Sequence, residues 1–311
     1  MAAIAPPPAP IRRWPRRTLA ALVSIFLLLG TAFWYLGREA TLQMLLQKIA
    51  GASGGQLLVS GVSGSLYGKM HVGHIAYRSP DSRITAENVD IAWSPLQYFS
   101  QGIAIGELHV ASLAFESTGP AKPAVLPPSL APPFRLAIAD ARVEKLTLLD
   151  NSGSNVIEHL HLKLNGDQSG WRLQDASAST PLGLVTAEAT LGAARPFALA
   201  GKASLTQLAP PAGQKPAQLL ARLDGNLSAL ELAATASARQ ASGDARLTLA
   251  PFDPIILRAA SLHAKGIDPS GFNGAWPKAD LKLELAARIG PDQSLSGQLA
   301  LSNQGAPGPL D

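Results

Sequence analysis

The stretch Leu160-His161-Leu162-Lys163-Leu164 decides the fold class, because an apolar side chain occupies every second position. Successive side chains of a β-strand point to opposite faces of a sheet, so this alternation predicts a strand with one apolar and one polar face. The same rhythm runs through Asp280-Leu281-Lys282-Leu283-Glu284-Leu285. Polar residues, glycine or proline interrupt it about every dozen residues, which is typical of an all-β protein built from short strands.

The alternation changes phase at two glycines. Within 69–78 the apolar positions shift at Gly73, and within 103–110 they shift at Gly106. One extra residue in a strand produces such a shift, so Gly73 predicts a β-bulge. If the strand were regular, His71 and His74 would lie on opposite faces.

An uncharged apolar segment, 18–36, precedes the strands and reads TLAALVSIFLLLGTAFWYL. A helix needs about 20 mostly apolar residues to cross a bilayer, so the segment predicts one transmembrane helix. The positive-inside bias and the preference of aromatic rings for the headgroup layer identify its two ends. The residues concerned are Arg12, Arg13, Arg16 and Arg17 on the cytoplasmic side and Trp34 and Tyr35 on the far side.

The rival interpretation of this segment is a cleaved signal peptide. The apolar run continues through bulky aromatic residues past the small residues where cleavage would occur, which favours an uncleaved anchor. Either interpretation exports the chain. We therefore expect a single-pass protein of the bacterial inner membrane, with most of its mass in the periplasm.

The chain divides by composition into six ranges. Leucine and isoleucine recur at helical spacing after the anchor, and prolines crowd a stretch that forbids regular ladders. The predicted organisation is a cytoplasmic tail (1–17), the anchor (18–36), a juxtamembrane amphipathic helix (37–52), a first β module (53–116), a proline-rich linker (117–133) and a repeating β-strand region (134–311).

Composition argues against several classes of function. The chain contains no cysteine, which excludes disulfides and thiolate chemistry. The net charge of +4 equals that of the four arginines before the anchor, so the remainder is neutral and predicts no nucleic-acid partner. His159 and His161 share a strand face, but a zinc site needs three or four ligands. We expect no enzyme, no cofactor and no metal.

Several stretches resemble the TamB family, the inner-membrane subunit of a translocation and assembly module, within the AsmA-like, bridge-type lipid-transfer proteins. They are LVSGVSGSLYG at 58–68, VDIAWSPL at 89–96, IGEL at 105–108, and the final strand pair and loop within 277–311. The resemblance implies an inner-membrane anchor followed by a long curled antiparallel sheet, the β-taco groove. Family members are much longer, so the chain is similar to an N-terminal portion.

The resemblance also implies the function, which is to move phospholipid between the inner and outer membranes in outer-membrane biogenesis. Acyl chains would lie on the apolar strand faces, at Val89, Ile91, Trp93, Leu146, Leu148, Leu160, Leu162, Leu164, Leu281, Leu283 and Leu285. One alternative is a scaffold that acts with an Omp85-type outer-membrane barrel in autotransporter assembly and secretion. Another is a structural β-protein with a closed core, which the alternation alone would favour.

Overall fold

A computed structural model describes residues 37–93, 102–117, 126–150, 153–208, 210, 215–253, 255–269, 278–290, 292 and 294–305. The predicted tail and anchor, with Arg12, Arg13, Arg16, Arg17, Trp34 and Tyr35, lie outside these residues. Within them, no helix is both long enough and apolar enough to cross a membrane.

The described residues form one helix and fifteen strands. The helix is α1 (Glu39–Ala52), and the strands are β1 (Leu57–Gly64), β2 (Lys69–Arg78), β3 (Ser82–Trp93), β4 (Ile103–Ser117), β5 (Leu136–Asp150), β6 (Gly153–Asp167), β7 (Gly170–Thr180), β8 (Gly183–Gly192), β9 (Leu199–Thr206), β10 (Gln218–Asn226), β11 (Ala229–Ala238), β12 (Ala241–Leu249), β13 (Leu257–Ile267), β14 (Leu281–Ile289) and β15 (Leu295–Asn303).

All fifteen strands belong to one sheet, in chain order, and the sheet curls without closing. It is antiparallel, as predicted, except that β4 and β5 run parallel. A parallel pair requires a connection long enough to return to the starting end of the first strand, and the proline-rich segment before Leu136 provides it. The ranges 53–116 and 134–311 are therefore joined in one continuous sheet.

Helix α1 lies within the range predicted for a juxtamembrane helix, and it packs on β1. Leu42 is buried, and Leu46 contacts the core of the first strands. The Gln43 side chain donates a hydrogen bond of 3.0 Å from Nε2 to the carbonyl oxygen of Val62. Because Leu42 and Leu46 are one helical turn apart, one apolar side of the helix covers the apolar face of the first strands.

A valine row forms the centre of the core. Val72, Val89, Val110 and Val143 pair in register across β2 to β5, and all four are buried. Leu160 on β6 continues the row and packs against this cluster. Burying a valine side chain contributes about 1.5 kcal/mol or more, so this row is a principal source of cohesion in the first six strands.

A row of residues that the strand pairing skips runs beside the valine row. Six consecutive strands each leave one residue without an assigned partner at the same level, namely Gly61, Gly73, Asn88, Ala111, Glu144 and His159. Gly61, Asn88 and His159 have positive φ angles. Neighbouring strands skip residues opposite each other, so the register does not shift, but within each strand the apolar positions change phase across the skipped residue.

The change of phase at Gly73 is present, but the predicted β-bulge is not, because Gly61 and Gly73 are skipped opposite each other and the register does not shift. The change of phase decides the placement of two histidines. Val72 and Ile75 both contact the buried cluster, with two residues between them instead of one. His71 precedes Val72 and His74 precedes Ile75, so both histidines lie on the polar face. A shift in register opposite Gly106, between Ala92 and Trp93, likewise matches the second change of phase.

Candidate apolar groove

Six alanines form a row along the apolar face. Each of the strands β7 to β12 contributes one, and Leu262, Leu285 and Leu299 continue the row to the last described strand. Because an alanine side chain is a single methyl group, the row is a low strip between neighbouring rows that carry leucines. The six are Ala176, Ala187, Ala203, Ala221, Ala234 and Ala245.

An apolar cavity of about 290 Å³ lies over this strip between β10 and β13. Its volume is close to the lower end of the range for small-molecule pockets, about 300 Å³. Apolar side chains supply most of its lining, namely Leu219, Ala234, Ala236, Ala245, Leu262, Ala264 and Ile267. The cavity can therefore receive a hydrocarbon group, and it offers few polar partners to anything else.

The strand register places all eleven predicted groove residues on this one face. They differ in how much surface they offer: Val89 is 4% exposed and Leu148 is 37% exposed. Half-buried positions are Ile91, Trp93, Leu146, Leu160, Leu162, Leu164, Leu281, Leu283 and Leu285. Val89 thus belongs to the packed core and exposes almost no surface to a ligand, whereas Leu148 exposes the largest fraction of its surface among the eleven residues.

Trp93 has an unusual environment. Its indole Nε1 is the one buried side-chain polar atom without a hydrogen-bond partner among the described residues. An unpaired buried donor costs about 1–3 kcal/mol relative to a satisfied one. The alternation that predicted the position of Trp93 gave no indication of this orphaned donor.

The apolar face is buried along the valine row and open in its later part. Helix α1 packs on β1, and its Leu46 contacts the buried cluster that contains the valine row. Leu219, Leu299 and Leu301, on β10 and β15, are exposed on the same face. Among the described elements, no helix or second sheet covers β7 to β15.

One rim of this face is covered by residues 126–135, which we call the strap. Trp171 donates from Nε1 to the carbonyl oxygen of Leu130 at 2.8 Å, and the Leu130 amide donates to Ala193 at 3.0 Å. The Arg195 guanidinium donates to the carbonyl oxygens of Leu126 and Pro127, at 2.7 and 3.0 Å. These hydrogen bonds fix the strap at the rim where β6 and β8 end and β7 begins.

Sequence reasoning missed the docking of the strap. The prolines predicted an extended linker at 117–133. Ser117 is the last residue of β4, and the described part that follows, 126–133, contains no strand. A proline keeps its carbonyl oxygen as an acceptor, and Pro127 and Pro132 both accept side-chain hydrogen bonds. Only the pairing of distant strands reveals that Arg195 and Gln168 are the donors.

The opposite face carries a chain of histidines and carboxylates across β2 to β6. His71 Nδ1 lies 2.8 Å from Asp90, and His109 Nε2 lies 3.2 Å from Glu144. His159 Nδ1 lies 3.0 Å from the second oxygen of Glu144. Hydrogen bonds from His109 and then His159 lower the pKa of Glu144 from its ordinary value.

The sequence alone could not predict these contacts, because it gives no pairing between strands. Each carboxylate comes from a strand adjacent to that of its histidine, so only the register reveals the chain. Across the described part of the sequence, no group of three or more histidine and acidic side chains has a geometry that could hold a metal ion.

No protein-family model, curated protein or solved structure matches this chain. The resemblance to the TamB family therefore stays a prediction, carried by the four sequence stretches quoted above. The functional argument that follows depends on the apolar face and its surroundings.

Proposed function

We propose that the chain guides phospholipid acyl chains along the apolar face of its sheet, as an inner-membrane-anchored periplasmic protein in outer-membrane biogenesis. The observation that supports this most is the continuous apolar face of β7 to β15, which no other described helix or sheet covers. A closed-core protein would bury such a surface against a second layer. The proposed cargo is a phospholipid whose headgroup stays in water at the open rim.

The energetics favour movement of a lipid tail along the groove over tight binding at one position. Each methylene group gains about 0.8 kcal/mol on leaving water, so a hydrocarbon tail prefers the groove to solvent. The alanine row presents nearly the same surface on six successive strands, so no position holds the tail much more firmly than the next. Nine strands at about 4.8 Å spacing give a path of about 40 Å.

Photo-crosslinking from neighbouring residues of β11 tests the proposal. Ala234 lines the apolar cavity, whereas Thr235 is the next residue and lies on the polar face. The full chain carries p-benzoylphenylalanine at one position or the other. It is mixed with vesicles of phosphatidylethanolamine and phosphatidylglycerol and then illuminated. We expect lipid adducts from position 234 and few or none from position 235.

Two other results would contradict the lipid function. Equal lipid yields at both positions would mean that the apolar face has no special affinity for lipid. If illumination in cells instead gave adducts at 234 that contain protein alone, the alternative function would be favoured, a scaffold acting with an Omp85-type barrel.

A further inference from the structure

The two rims of the apolar face, where turns join successive strands, differ in packing. At the rim that carries the strap, Phe197 is fully buried in the turn between β8 and β9, and Ala193 and Leu230 are also buried. Backbone hydrogen bonds join neighbouring turns there, from the Ala193 amide to Ser169 at 2.9 Å and from the Leu227 amide to Phe197 at 3.2 Å. We call this edge the packed rim. It consists of the turns 167–170, 192–199 and 226–229.

The opposite rim is apolar and exposed. Leu182, in the turn between β7 and β8, is 75% exposed, and Leu208, after β9, is 62% exposed. Both line a cavity of about 650 Å³, a volume typical of small-molecule pockets. Leu219 and Ala236 line this cavity and also the cavity of about 290 Å³ described above, so the two adjoin on the apolar face. We call this edge the mouth. It consists of residues 180–183, 206–208, 215–218 and 238–241.

The charges of the two rims differ as well. The mouth contains two cationic residues, Lys215 and Arg239, both exposed, and no acidic residue. The charged residues of the packed rim are Asp167 and Arg195, and the Arg195 guanidinium already donates to the strap. The mouth is therefore the rim whose charge attracts an anionic group.

We propose that the mouth is a binding site for the headgroup end of a phospholipid. The headgroup phosphate meets Lys215 and Arg239, and the acyl chains lie along the strands, over Leu219 and toward the alanine row. An acyl chain spans about 15 Å, half of a bilayer's hydrocarbon core, whereas the nine residues of β10 extend about 30 Å. A tail that starts at the mouth therefore crosses the alanine row and ends before the packed rim. This inference rests on the lipid function proposed above, and it adds the orientation of the lipid.

Photo-crosslinking from one turn at each rim tests this orientation. Leu182 and Ser228 are both exposed, and each is the second residue of a two-residue turn. The full chain carries p-benzoylphenylalanine at position 182, 228 or 234 and is illuminated with vesicles of phosphatidylethanolamine and phosphatidylglycerol. We expect about fivefold more lipid adducts from position 182 than from position 228, because only the mouth offers apolar surface to the lipid.

Reversal of the two charges tests the contact with the phosphate. Lys215→Glu combined with Arg239→Glu should lower the adducts at position 182 about threefold, the scale of one or two exposed ion pairs. Arg172→Glu combined with Arg246→Glu is the matched control, because both arginines are exposed on the polar face and the change in net charge is the same. The control should leave the yield unchanged.

Two results would overturn the orientation and leave the lipid function in place. One is a strong yield at position 234 with equal yields at 182 and 228. The other is a yield at 182 that the Lys215 and Arg239 variant does not lower. If position 234 gave no lipid adducts at all, the lipid function itself would be wrong, and this inference with it.

Discussion

Trp171 on β7 and Leu130 in the strap are joined by a hydrogen bond of 2.8 Å, although 41 residues separate them along the chain. The Trp171 ring also lies over Gly166, where an added Cβ would come within 2.6 Å of the ring. The absence of a side chain at Gly166 therefore lets the ring lie flat at the rim, and the flat ring aims its N–H at the strap.

Trp171→Phe should loosen the strap without removing the ring that packs on Gly166. The lost hydrogen bond is worth about 1 kcal/mol, so the amide of Leu130 should exchange about fivefold faster. Hydrogen exchange followed by mass spectrometry measures this directly. Protection of the 126–135 peptide equal to that of the unmodified chain would show that the strap does not depend on Trp171.

The row of skipped residues provides a second prediction, at Asn88. This residue has a φ of 50°, a left-handed conformation that asparagine tolerates and a β-branched residue resists. Asn88→Val should destabilise the sheet by about 1–2 kcal/mol and lower its thermal unfolding temperature. Asn88→Gly is the control, because glycine adopts positive φ freely and should unfold at a similar temperature to the unmodified chain.

The contrast between the apolar and the polar face of the sheet provides a third prediction. Val110 is 6% exposed within the valine row, so Val110→Ala should cost about 2 kcal/mol through lost burial and an unfilled space. Leu220 is 56% exposed on the polar face of β10, and Leu220→Ala should change stability by about 0.5 kcal/mol or less. Urea unfolding of the two variants compares them, and equal costs would mean that the valine row is not a packed core.

A fourth prediction concerns the stability of the fold at acidic pH. Hydrogen bonds from His109 and His159 lower the pKa of Glu144, so the native state favours the ionised carboxylate. The resulting stabilisation is present above the ordinary glutamate pKa and is lost as the pH falls through the lowered native value. Glu144→Gln should therefore unfold at a lower temperature than the unmodified chain at about pH 6, and this difference should shrink as the pH is lowered into the acid range.

Glu231→Gln serves as the control for that measurement, because Glu231 is exposed on β11 and forms no ion pair with a described residue. Its unfolding temperature should follow that of the unmodified chain throughout. A difference for Glu144→Gln that persists undiminished into acid would contradict the account.

The single apolar face could be predicted from the sequence, because a side chain's face follows from its position within one strand. Leucines at 160, 162 and 164, or at 281, 283 and 285, need only the two-residue period of the backbone. The change of phase at Gly73 was predictable for the same reason, since it is visible within the strand itself. That it arises without a bulge depends on the neighbouring strands, which skip Gly61 and Asn88 at the same level.

Features that depend on pairing between distant strands could not be predicted. The parallel β4–β5 pair follows from the path of the chain before Leu136, which no local pattern encodes. The contacts of Trp171 with Leu130, and of His109 with Glu144, join residues 41 and 35 positions apart. The burial of Val89 depends likewise on the curl and on helix α1, so periodicity placed it on the right face but not in the core.

Continuity of the apolar face is the central claim, and a charge placed upstream of the cavity tests it most directly. Ala187 on β8 belongs to the alanine row, and its neighbour Thr186 lies on the polar face beside Ser204. In the full chain with p-benzoylphenylalanine at position 234, lipid adducts should fall about tenfold in Ala187→Asp, because a hydrocarbon tail that passes a carboxylate on the apolar face would strip water from the charge. Adducts should be unchanged in Thr186→Asp, and an undiminished yield in Ala187→Asp would contradict the account.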